Sequence, residues 1–111
     1  MPITTTGTLT YGYRDASGVL HTEFEMRVPT LEDLETAVEQ APAGASTARL
    51  SRYIWARTIT RLGTLPSESI TPDLLGSLPY VEYGVLEAAE KELLGKLAPA
   101  SANSETIASS K

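Results

Sequence analysis

The strictest pattern in the chain is the run Val19-Leu20-His21-Thr22-Glu23-Phe24-Glu25-Met26-Arg27-Val28. Side chains alternate across a strand with a period of two, so Leu20, Thr22, Phe24, Met26 and Val28 share one face. His21, Glu23, Glu25 and Arg27 take the other, which makes His21 a surface residue in this reading. Residues 6–13 form a second strand, with Leu9, Tyr11 and Tyr13 alternating with Thr8, Thr10 and Gly12. Asp15-Ala16-Ser17-Gly18 between them is a turn, because Asp bonds its own backbone and Gly tolerates positive φ. The two strands therefore make an antiparallel hairpin over about residues 6–28. A lone hairpin is marginal in water, so its apolar face needs a cover. Only the helices that follow can supply one.

Thr30 caps the first of these, with Asp33 at the capping-box position. The helix runs from residue 31 to about 41, with Leu31, Leu34 and Val38 on one face, and Pro42-Ala43-Gly44 ends it. Glu32, Asp33 and Glu35 suit its positive N-terminal end. Ser46 or Thr47 caps a second helix that closes on Gly63 as its C′ residue. Its apolar stripe is Ile54, Trp55, Thr58, Ile59 and Leu62. Arg49, Tyr53, Arg57 and Arg61 recur at four-residue spacing on another edge. Residues 64–70 are a loop, and Thr71-Pro72 starts a short helix with Thr at N-cap and Pro at N1. A last helix spans about residues 79–97, with Tyr83, Leu86, Leu93, Leu94 and Leu97 as its stripe. The expected fold is α+β: an N-terminal antiparallel β-hairpin packed on a bundle of three to four helices. Residues 1–98 form one domain, and residues 99–111, rich in Ala and Ser, form a disordered tail dispensable for folding.

The chemistry that composition excludes is broad. The chain has 111 residues, no cysteine and one histidine, so disulfides and Cys/His zinc sites are out of reach. No serine or cysteine nucleophile motif accompanies His21, and the scattered glycines form neither a P-loop nor a dinucleotide fingerprint. Glu32, Asp33, Glu35 and Glu39 read as capping and a solvated face rather than a metal site. A net charge of −5 argues against general nucleic-acid binding. No segment approaches the roughly 20 apolar residues of a membrane span, and the N-terminus lacks the pattern of a signal peptide. The expectation is a cytoplasmic binding protein without cofactor, and not an enzyme. The arginine row has two readings: a solvated edge neutralised by the acids of the preceding helix, or a docking surface. The docking reading takes Arg49, Tyr53, Arg57, Arg61, Tyr80 and Tyr83 as protein-binding residues. Arg engages carboxylates with a planar fork, and Tyr offers apolar area with a polar tip.

The order of motifs resembles the small tail assembly proteins of tailed bacteriophages, in particular the Mu-like tail assembly chaperone family. The resemblance rests on Arg27-Val28-Pro29-Thr30 followed by the acidic Leu31-Glu32-Asp33-Leu34-Glu35, and on Arg61-Leu62-Gly63. It continues through Ile70-Thr71-Pro72-Asp73-Leu74-Leu75 and Leu78-Pro79-Tyr80-Val81-Glu82-Tyr83-Gly84-Val85-Leu86. It covers about residues 7–97, and the stretch 64–70 departs from the usual pattern as an insertion-like loop. The resemblance implies a chaperone in the host bacterial cytoplasm that binds the tape measure protein and is absent from the mature virion. The tail tube protein and a second copy of the chain are further candidate partners. The alternatives are a structural phage protein (head–tail connector or minor tail component) and a small bacterial regulatory binding module.

Overall fold

The computed structural model describes residues 3–97, so the expected tail at 99–111 lies outside the described residues. The fold is α+β. Strands β1 (Thr4–Arg14) and β2 (Leu20–Arg27) form the expected hairpin, followed by helices α1 (Leu31–Gln40) and α2 (Thr47–Thr58). Two short strands, β3 (Ile59–Leu62) and β4 (Leu65–Pro66), come next. A single 3₁₀ turn (Ser67–Ser69), α3 (Pro72–Gly76) and α4 (Glu82–Lys96) complete the described chain. The four strands make one antiparallel sheet in the order β1-β2-β3-β4.

The sheet is wider than the sequence suggests, because the expected second helix stops at Thr58. Its last stretch, Thr58-Ile59-Thr60, is β-branched, and such side chains are restricted on a helix and fit a pleated sheet. The free edge of β2 also needs hydrogen-bond partners, and β3 provides them through Phe24↔Leu62 and Glu25↔Arg61. Gly63 does hold a positive φ of 59°, yet as part of the two-residue turn between Leu62 and Leu65, not as a helix cap. The stretch expected as a loop at 64–70 is thus β4 and the 3₁₀ turn.

That turn corrects the placement of His21. The imidazole is buried, although strand alternation does set it on the face opposite Phe24 and Met26. The β3–β4 turn closes over it. Nδ1 accepts from the Thr64 N–H at 3.3 Å, and Nε2 lies 2.9 Å from Asp15 Oδ2 in the hairpin turn. Any side chain at position 63 would run into the His21 ring. Tyr13 stacks beside it, with ring centroids 6.3 Å apart.

A wide bulge interrupts β1. Thr8 pairs with Glu23 and Tyr13 with His21, so four residues, 9–12, stand opposite Thr22 alone. Gly12 bends through φ 84° there, where a Cβ would meet the His21 carbonyl. The bulge leaves backbone donors without strand partners, and Glu82 satisfies them. Its buried carboxylate accepts from the N–H groups of Thr10 (2.8 Å), Tyr11 (2.7 Å) and Gly12 (2.9 Å). Helix α4 therefore begins at Glu82, three residues later than the sequence expectation. Its other end is tied to β1 as well, by Thr5 Oγ1 donating to Glu92 and Lys96 Nζ donating to the Thr4 carbonyl.

The core lies between the sheet and the helices. Phe24, Met26, Trp55, Ile59, Leu62, Leu86 and Leu93 are almost fully buried, as the alternation and stripe positions predict, whereas Leu94 and Leu97 of the expected last-helix stripe are 50% and 40% exposed. Two hairpin residues expected on the apolar face depart from it: Leu20, 46% exposed beyond the bulge, and Tyr11, 62% exposed within it. Trp55 is anchored at its polar end, with Nε1–H donating to Glu90 Oε1 at 2.6 Å. Trp55→Ala is expected to cost about 3–5 kcal/mol in urea unfolding, enough to unfold a domain of this size. Glu82→Ala leaves three bulge N–H groups without their acceptor and is expected to cost about 1–3 kcal/mol in all, since Thr10 and Tyr11 lie at the surface, where water replaces part of the lost bonding. Amide exchange checks the cause: the Thr10, Tyr11 and Gly12 amides lose protection before the core strands do.

Candidate functional site

The six residues expected to bind protein separate into two places, and the reason begins at Asp33. Its side chain is 2% exposed and accepts five hydrogen bonds at its two oxygens. Arg27 grips it with both Nη atoms, at 2.7 and 2.9 Å. The N–H and Oγ1 of Thr30 donate at 2.8 and 3.1 Å, and Thr30 Oγ1 in turn accepts from the Asp33 N–H. This is the capping box expected at the start of α1. Arg57 Nε donates at 2.9 Å, and Arg27 Nη2 also reaches the Arg57 carbonyl. The bidentate Arg27 contact above all, then the Thr30 N–H and Arg57, holds the Asp33 carboxyl far below the usual carboxylate range.

Arg57 is therefore committed to an internal ion pair, as the solvated-edge reading anticipated for one of the acids. Arg61 sits on β3, exposed, and no longer continues the helical row. Tyr53 is half-buried on α2. A double reversal of Arg57 and Arg61 would thus set a carboxylate against Asp33 and test the fold rather than docking.

Arg49, Tyr80 and Tyr83 do come together. They line a groove of about 720 Å³ between the first half of α2, α3 and the start of α4. Leu75, Leu78, Val81 and Leu86 contribute apolar lining, with Trp55 at the base. Tyr83 packs on Trp55, ring centroids 5.1 Å apart, and its hydroxyl lies 3.5 Å from Ser51 Oγ. Tyr80 stands at the groove 90% exposed. The Pro79-Tyr80-Val81 corner that carries it is held by N–H bonds from Glu82, Tyr83 and Gly84 back to the carbonyls of residues 79–81.

Arg52 is the groove residue that sequence reasoning missed. Its Nη1 donates to the Pro72 carbonyl at 2.8 Å, tying α2 to the start of α3. Three-residue spacing from Arg49, equally neighbouring on a helix, was the signal for it. Among the described residues, neither Arg49 nor Arg52 has a carboxylate partner.

A second surface is exposed for the same reason that Arg57 is not. With Asp33 and Ala37 facing inward, the apolar stripe of α1 turns to solvent. Leu31 is 78% exposed, Leu34 42% and Val38 56%. Amphipathicity located this stripe correctly along the helix but not its direction, because a buried carboxylate outranks an apolar face when two arginines await it. Glu32, Glu35 and Glu39 are exposed alongside. Among the described residues no cluster of three or more His, Asp or Glu side chains could hold a metal ion, and no helix is long and apolar enough to cross a membrane.

Comparison with protein-family models, with curated proteins and with solved structures gives no match for this chain.

The Asp33 cluster makes stability depend on acid. Folding lowers this pKa, so the ionised form stabilises the fold at any pH above its ordinary value of 3.8. That contribution is lost as the pH falls below this value. The urea midpoint of the wild type is expected to drop between about pH 5 and pH 3, where the unfolded chain takes up the proton first. Asp33→Asn is expected to start about 3–5 kcal/mol lower at neutral pH, because it leaves two arginines without their charge partner. Its midpoint should then fall less steeply with acid than that of the wild type.

Proposed function

We propose that the chain is a tail assembly chaperone that holds apolar helical segments of the tape measure protein in the groove between α2, α3 and α4. One observation carries the reading: the 90% exposed Tyr80 stands at an apolar groove of about 720 Å³ that also holds Arg49 and Arg52. A groove of this kind suits the apolar face of an amphipathic helix, with a polar edge to set its orientation. The stretch that carries the family resemblance, Leu78-Pro79-Tyr80-Val81-Glu82-Tyr83, supplies much of the groove wall.

Tyr80 and Val81 give rigid contact area, and the arginines select a helix with acids beside its apolar stripe. Each site covers a short piece of helix, so its affinity is moderate. Many copies along one long client keep that client soluble and can still be displaced by polymerising tail tube subunits. On this reading the chain acts in the host cytoplasm and leaves before the particle is complete.

Co-expression with the tape measure protein of the same gene cluster tests the proposal. The wild-type chain is expected to move that protein into the soluble fraction. Tyr80→Asp combined with Arg49→Glu should abolish the effect with circular dichroism unchanged, since both side chains are exposed. A client that stays insoluble beside the wild type overturns the reading. Detection of the chain in purified virions would make it a structural tail component instead.

A further inference from the structure

The two exposed surfaces complement each other in apolar character and in charge. Helix α1 shows Leu31, Leu34 and Val38 as a stripe, and at about 100° per residue Glu35 and Glu39 lie along one side of it. The last turn of α1 contains no basic residue. The groove offers the opposite set, an apolar side from Leu78, Val81 and Tyr80 and a basic side from Arg49 and Arg52. Within one copy the two cannot meet, because α1 packs its Asp33–Ala37 face on α2 and its stripe points away.

We infer that the α1 stripe of one copy docks in the α2–α3–α4 groove of a second copy, with Glu35 and Glu39 facing Arg49 and Arg52. Donor and acceptor are different surfaces, and every copy carries both. The contact therefore closes as a reciprocal pair or propagates head to tail. The occupant is set by charge: the groove arginines have no carboxylate partner among the described residues, and the acids beside the stripe have no basic partner there either. The stripe spans residues 31–38, about 10 Å or two turns of helix at 1.5 Å per residue. Self-association hides both apolar surfaces while the chain is without a client. It also makes α1 a competitor for the groove, and so a template for the kind of helix that a client would present. The association itself does not depend on the client's identity.

Sedimentation equilibrium of the full chain over a concentration series tests the inference. The wild type is expected to exceed the monomer mass, and to fall back toward it as salt rises. Glu35→Arg and Arg49→Glu should each sediment as monomers with unchanged circular dichroism. Glu35 is exposed, and an acid at position 49 suits the first turn of α2. Mixing the two variants should restore the higher mass, since each then supplies the charge that the other's reversed residue requires. A wild type that stays monomeric throughout, or a mixture of variants that does, overturns it. Glu35→Arg lies outside the groove and should still solubilise the tape measure protein. Loss of association with client protection intact, or the converse, therefore separates the failure of this inference from failure of the chaperone reading.

Discussion

The Asp33 carboxylate is the point on which the helical layer turns. It is buried, and a buried charge is tolerated only when it is paired and hydrogen-bonded. Arg27 at the end of β2, Arg57 at the end of α2 and the Thr30 cap meet that demand together. One side chain thereby joins the hairpin, the start of α1 and the end of α2. Leaving that buried carboxylate without a partner costs about 3–5 kcal/mol. Helix α1 therefore lies with its carboxylate inward and its leucines outward. An exposed apolar stripe rimmed by polar residues is the kind of feature that marks an interaction surface.

Glu82 plays the matching part at the other end of the helical layer. A four-against-one bulge in β1 strands three backbone donors, and the first residue of α4 accepts all three. That pins the helix start against the sheet. The corner before it, Pro79-Tyr80-Val81, is then held away from the core, with Tyr80 almost wholly in solvent. The groove exists because this corner and α3 stand apart from α2, while Arg52 bridges to α3 through the Pro72 carbonyl. Two buried carboxylates thus create the two surfaces on which the functional readings rest: Asp33 presents the stripe, and Glu82 positions the groove.

The division between internal and external arginines follows from the same economy. Arg27 and Arg57 are used inside, where a bidentate fork and a side-on N–H meet one acid. Arg52 and Arg49, about one and two turns earlier on α2, line the groove. A row that looks uniform along the helix is split by what happens to lie beneath each end.

What the sequence determined by itself is local. The β2 alternation, the Asp15–Gly18 turn, the caps at Thr30 and Thr71, and the burial of Phe24, Met26, Trp55, Leu86 and Leu93 are all legible from spacing and residue type. Each depends on neighbours within a few positions. The conversion of 59–66 from helix and loop to strands, the burial of His21 under the β3–β4 turn and the outward rotation of α1 were decided by contacts between distant segments. So was the grouping of Arg49 and Arg52 with Tyr80 and Tyr83, away from Arg57 and Arg61. The physical reason is common to all of them. A period identifies which residues share a face, but the direction of that face depends on unsatisfied hydrogen bonds and buried charges contributed by another part of the chain, and these come together only in the folded protein.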